Sequence, residues 1–130
     1  MALAKSFREL EVYRLARREA GRIFRLTQSF PVAERYSLID QVRRSSRAVG
    51  AMLAEAWGRR RYPLSFAAKI VDALGEATET QAWLDYALDC NYIDAPTHQS
   101  CDAAWQQVGA MFNKMCEKAE DFCASAPDRK

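Results

Sequence analysis

Apolar residues recur at helical spacing through most of the chain, and they fall into four segments. In the first, from about Ser6 to Gln28, Val12, Leu15, Ala16, Ala20, Ile23 and Leu26 form one stripe. The second, from about Pro31 to Arg61, carries Leu38, Val42, Ser45, Val49, Met52, Leu53 and Ala56 on one side. The third, from about Pro63 to Cys90, does so with Phe66, Ile70, Ala73, Leu74, Ala77, Leu84 and Leu88. The fourth, from about Pro96 to Phe122, carries Cys101, Trp105, Val108, Phe112, Met115, Ala119 and Phe122. Breaks fall at Phe30-Pro31, Tyr62-Pro63 and Asn91 to Pro96. Proline suits the first turn of a helix, where its missing N–H has no partner to lose. No segment alternates as a strand does. Four helices of similar length with short links predict an all-α fold, an antiparallel up-down-up-down four-helix bundle. One domain over residues 1–123 is expected, with 124–130 a short, polar, disordered tail.

A chain of 130 residues can bury a core without staples. No apolar run approaches the length that spans a bilayer, and the first ten residues lack the apolar core of a secretory signal. The expectation is a cytoplasmic protein with no membrane partner. Cys90, Cys101, Cys116 and Cys123 lack zinc-knuckle spacing and are expected to be reduced, buried and apolar in role.

Catalytic chemistry is thin. The single histidine, His98, is expected to be exposed near the start of the fourth helix. With Cys101 it spells His-x-x-Cys, which has no further ligands at metal-site spacing. The Glu-x-x-His pattern of metal-binding bundles does not occur, and the five glycines are scattered rather than gathered in a phosphate loop. No catalytic residue, metal or cofactor is expected, and hence no enzyme.

Charge changes the picture most. Residues 1–61 carry 14 basic and 6 acidic side chains, a net of +8; residues 62–130 carry 5 and 11, a net of −6. Arg14, Arg18, Arg22 and Arg25 line the side of the first helix opposite its apolar stripe, and Arg43 and Arg47 lie on the outer face of the second. Like charges at i,i+4 cost about 0.2–0.5 kcal/mol a pair, so a merely solvated helix alternates sign. Glu19 breaks the apolar stripe and requires an arginine or hydrogen-bond partner if buried. On the third helix Asp72, Glu76, Glu79, Trp83 and Tyr86 share an outer face, a mixture that suits a second contact surface. Two readings follow. Arg14, Arg18, Arg22, Arg25, Arg43 and Arg47 meet nucleic-acid phosphates, or the arginine face docks an acidic partner, such as the third helix of a neighbouring subunit.

Several segments together resemble one family. They are FRELEVYRLA at 7–16, FPVAERYSLIDQVRRSSRAV at 30–49, AEAWGR at 54–59, ALGEATE at 73–79 and NYI at 91–93. In order and spacing they resemble the four-helix bundle family of the 23S ribosomal RNA intervening-sequence proteins, to which the accessory variability proteins of diversity-generating retroelements are similar. Gln41, Arg43, Arg44, Glu55, Gly58, Arg59, Gly75 and Glu79 match the family pattern. Ala48, Met52, Ala56 and Glu76 depart from it, standing where Ser, Asn, Gly and Ser are usual. The resemblance implies a homopentameric ring without enzymatic activity and, for the retroelement members, nucleic acid and a reverse transcriptase as partners. Arg44, Glu55 and Arg59 then join Asp72, Glu76, Glu79, Trp83 and Tyr86 as expected residues of the oligomer interface.

Overall fold

A computed structural model describes residues 4–124, and these are helical apart from short links. Four long helices, α1 (Glu11–Thr27), α2 (Asp40–Gly58), α3 (Pro63–Asp89) and α4 (Ala95–Glu117), are followed by a short α5 (Ala119–Ala124). Each long helix lies against the next, and α1 returns against α4 to close the bundle. The direction alternates. On the facing flanks of α2 and α3, Arg44 meets Glu79, Ser45 meets Thr80 and Glu55 meets Lys69, so numbers rise on one helix as they fall on the other. Gln81 with Asp102 and Asp85 with His98 repeat this order between α3 and α4.

The buried residues are largely those of the four apolar stripes. Trp105, Phe66, Phe112, Ile23, Leu53, Ile70, Val42 and Val49 are the largest side chains that are fully enclosed. Glu19 is buried as the stripe required, at 6% exposure, with Arg22 Nη1 3.5 Å and Arg18 Nε 3.8 Å from its carboxylate. Ala20, Leu26, Met52, Leu74 and Leu88, expected inside, are half-buried, and Thr27, Thr80 and Ala87 take enclosed positions instead. Thr27 and Thr80 satisfy their hydroxyls locally, donating to the carbonyls of Ile23 and Glu76, so they enter the core at little cost. Gly109 lets the α3–α4 pair close up: a Cβ there would lie 3.2 Å from Leu74 Cδ1.

The helix ends differ from simple periodicity. The first segment opens as a 3-10 turn, Phe7–Glu9, with Ser6 and Glu9 forming a reciprocal capping box, and Leu10 in extended backbone separates it from α1. The second begins as a 3-10 turn, Val32–Glu34, and continues through a π turn, Arg35–Ile39, before α2. Glu34 ties this start to the end of α3, accepting from Ser37 Oγ at 2.6 Å and Tyr92 Oη at 2.9 Å. These two donors hold its carboxyl below the ordinary value, the Ser37 hydroxyl contributing most. α3 ends in a Schellman turn: Asn91 takes φ 59°, Tyr92 N–H donates to Ala87 O and Asn91 N–H to Leu88 O, each at 2.9 Å. Asp94 then caps α4 by accepting from Thr97 N–H at 2.8 Å. The fourth segment bends at Lys118, giving α4 and α5 in place of one helix. Ala124, expected in the tail, closes α5, while residues 1–3 and 125–130 lie outside the described residues.

Cys90, expected inside, is exposed because it caps α3 at the rim of the bundle. Cys101 is buried, and Cys116 and Cys123 are half-buried; burial pushes all three thiols up.

Candidate nucleic-acid interface

The arginines of α1 and α2 do not act as one set. Arg22 turns toward α4, where it donates to Ser100 Oγ at 2.9 Å and faces Glu19. Its charge is used to accommodate a buried carboxylate. Arg43, expected on the outer face, is half-buried: its Nε donates to Thr27 Oγ1 at 2.8 Å, and its guanidinium lies 4.6 Å from the centre of the Phe24 ring. It latches the start of α2 onto the end of α1. Arg14 donates to the carbonyl of Arg8 and holds the 3-10 turn against α1. Arg18 and Arg25 remain exposed on the outer side of α1. Arg47 is exposed, its guanidinium 5.5 Å from the centre of the same Phe24 ring.

Two arginines not singled out by their sequence pattern complete the surface. One groove runs over the start of α2 between Arg35, Tyr36, Arg43, Arg44 and Arg47, with Asp40 as its acidic member. A second lies between α1 and α2, walled by Tyr13, Arg17 and Arg47 and floored by Ala16, Ala20, Gly50 and Ala54. Arg47 belongs to both, so the two grooves form one path across the α1–α2 flank. The floor is open because its side chains are small; at Gly50 a Cβ would already touch the Tyr13 ring at 3.6 Å. Tyr36, 85% exposed, stands at one end of this path, and Phe24 is partly exposed beside it. The π turn that carries Arg35 and Tyr36 interrupts the 3.6-residue period there, so their facing cannot be counted from the core stripe. Arg17 lies on the flank of α1 that meets α2, which becomes identifiable only when the handedness of the bundle is known.

The residues expected at an oligomer interface are joined to one another within the chain. Arg44 reaches Glu79 at 2.7 Å, Glu76 at 3.5 Å and Gln41 at 3.4 Å, and Trp83 Nε1 donates to the same Glu79 oxygen at 3.0 Å. Trp83 is half-buried against the core, with Tyr86 exposed beside it. Glu55 pairs with Arg59 at 3.5 Å and with Lys69, whose ammonium also lies 3.9 Å from Asp72. The Lys69 contact holds the Glu55 carboxyl below its ordinary value. Arg60, in the middle of a basic triplet, is buried over the Trp57 ring at 3.5 Å, and burial lowers its guanidinium. One outward row of α3 carries no charge: Leu64, Val71 and Tyr86 are exposed along it, with Ala68, Gly75 and Ala82 between.

His98, expected to be exposed, is half-buried with its Nε2 2.8 Å from Asp85 Oδ1. The partner comes from α3, thirteen residues away in sequence, and not from Cys101 on its own helix. No helix among the described residues is long and apolar enough to cross a membrane.

The fold recurs in a crystal structure of a protein of unknown function from the S23 ribosomal protein family of Bacteroides thetaiotaomicron. That protein is 23% identical, superposes with a TM-score of 0.70, and the match covers 82% of this chain and 98% of that one. No curated protein sequence matches the chain. The family model for the 23S rRNA-intervening sequence protein matches residues 8–114, which takes in all of α1, α2 and α3 and most of α4. The chain therefore belongs to the 23S rRNA-intervening sequence protein family.

Proposed function

We propose that this chain is a non-enzymatic RNA-binding protein that holds its ligand along the α1–α2 flank. The carrying observation is the continuous arginine path, with Arg17, Arg35 and Arg47 unpaired with any carboxylate among the described residues and Tyr36 standing free beside them. Arginine guanidinium groups bind phosphate in a planar fork and stack on bases, and exposed aromatic rings offer unpaired bases a stacking face. A tract of single-stranded RNA fits such a surface better than a duplex groove does. The family name supplies the link to RNA. Arg18 and Arg25 extend the positive field around α1 and steer the polyanion toward the path.

Fluorescence anisotropy with labelled single-stranded RNA over a salt series tests this reading. Affinity should fall linearly with salt on a double-logarithmic plot; absent binding at low salt, or affinity flat with salt, overturns it.

A second reading draws on α3. Its exposed row of Leu64, Ala68, Val71, Gly75 and Ala82 beside Tyr86 suits a helix of a second copy, and so supports the ring that the family resemblance implies. In that assembly the arginine flank of each subunit would face outward to RNA or to an acidic protein such as a reverse transcriptase. Light scattering on wild type and on Val71→Glu separates the readings: a ring held by this row dissociates, while RNA binding by the arginine path survives in the monomer.

A further inference from the structure

At the opposite side of the bundle from the arginine path, three ligand atoms converge. Asp85 on α3 and His98 and Asp102 on α4 place one carboxylate oxygen, the imidazole nitrogen and a second carboxylate oxygen all within 4.8 Å of one another. His98 and Asp102 are four residues apart, so one helical face presents both, the spacing that lets a helix offer two ligands to one ion. Asp85 arrives from the antiparallel neighbour. The imidazole is held in place, with its side chain 18% exposed, whereas Asp85 is 66% exposed and free to adjust. Asp102 is oriented from behind: Gln81 Nε2 donates to its Oδ1 at 3.1 Å and to Gln106 Oε1 at 3.1 Å. Such outer hydrogen bonds are what fix metal-ligating carboxylates.

The local charge favours a cation. Between Lys69 and Lys114 the sequence has no Lys or Arg and seven Asp or Glu. Lys69 faces Asp72, and Arg44 takes Glu76 and Glu79. Arg22, which reaches α4 at Ser100, is committed to Glu19. Among the described residues no Lys or Arg pairs with Asp85 or Asp102, so two carboxylates flank the one imidazole without a basic partner.

We propose that Asp85, His98 and Asp102 bind one divalent transition-metal ion, Zn²⁺ foremost, with water completing its shell. Three protein ligands of mixed nitrogen and oxygen type with an open position match an accessible zinc site, whereas Ca²⁺ wants six to eight oxygens and Mg²⁺ an octahedral oxygen shell. Bonds of about 2.0–2.2 Å to a tetrahedral ion set its ligand atoms about 3.4 Å apart. His98 Nε2 and Asp85 Oδ1, now 2.8 Å apart, would part to admit the ion, a change that a rotation of the exposed Asp85 supplies. His98 would exchange its hydrogen bond to Asp85 for the metal. The ion would then join the last turns of α3 to the first turns of α4 across the Asn91 turn. This site is independent of the arginine path and stands whether or not RNA binds.

The test uses the full chain, thiols kept reduced, titrated with Zn²⁺ by calorimetry and with Co²⁺ by absorption. One Zn²⁺ per chain is expected, with a raised melting temperature and tetrahedral Co²⁺ bands lacking a thiolate charge-transfer band. His98→Gln and Asp102→Asn should each weaken binding by more than about tenfold, and Gln81→Leu by about tenfold, while Cys90→Ser leaves it unchanged. No binding at millimolar Zn²⁺, undiminished binding in a folded His98→Gln variant, or a thiolate band showing that cysteines hold the ion would each overturn the proposal.

Discussion

Arg44 and Arg47 are one helical turn apart on α2 and border the same groove, yet they turn to different flanks of the bundle. Arg44 leans onto α3, where Glu76, Glu79 and Gln41 surround it. Arg47 leans toward α1, where it meets the Phe24 ring and no carboxylate among the described residues. The α2–α3 flank is a closed electrostatic seam; the α1–α2 flank is an open one. Opposite net charges in the two halves of a chain therefore do not by themselves make a binding face. Where a basic helix adjoins an acidic one, the charges neutralise each other and hold the helices in register. The flank where two basic helices adjoin is left without that neutralisation, and it is there that RNA binding is proposed.

The sharpest way to break this comparison is to reverse charge on the open flank. Arg17→Glu with Arg47→Glu should abolish RNA binding at physiological salt, and the double alanine variant should reduce the salt slope by about 2. Folding stability should change by less than about 0.5 kcal/mol, because neither arginine has a carboxylate partner to lose. Binding by anisotropy and unfolding by denaturant measure the two quantities. A folded double reversal that binds RNA as the wild type does would place the ligand elsewhere.

The closed flank should respond the other way. Arg44→Ala leaves Glu76, whose Oε2 is buried without a hydrogen bond, and Glu79 without their cation. Stability should fall by about 1–3 kcal/mol, the usual cost of leaving a partly buried polar group unmatched. Equal losses for Arg44→Ala and Arg47→Ala in urea unfolding would erase the distinction between the flanks.

How much of this was legible beforehand depends on the kind of information each feature needs. The core stripes were, because Val49, Leu53, Phe66, Ile70, Trp105 and Phe112 repeat at the helical period and burial follows period. Glu19 was legible as a conflict: a carboxylate on an apolar face demands a cation, and Arg18 and Arg22 supply it. The partition of the arginines was not. Arg22 and Arg43 share outer stripes with Arg18 and Arg47, and only the neighbouring helix decides which of them is engaged. Arg35 and Tyr36 sit on a π turn that resets the count. Asp85 and His98 come from different helices, and their meeting depends on the α3–α4 register, fixed by the Asn91 turn.

The smallest expected effect concerns the contact that pins the open flank to the rest of the bundle. Tyr92 donates to Glu34 beside the π turn, and the bond shifts both partners: Glu34 is lowered from 4.5, chiefly by Ser37 and then by Tyr92, and Tyr92 is raised from 10.0, chiefly by Glu34. A lowered carboxyl adds stability that is present above its unfolded value and disappears as pH falls through the folded one. A raised phenol adds stability that is present below its unfolded value and disappears as pH rises through the folded one. The stability difference between wild type and Tyr92→Phe, from urea unfolding across pH, should therefore be flat between these limits and shrink at both ends. Ser37 still donates to Glu34 in the variant, so part of the acid limb should persist there. A difference near zero at every pH would mean that the Tyr92 ring, which the variant keeps, serves only to pack against Phe30, whose ring centre lies 5.1 Å away, and that the π turn is held by Ser37 alone.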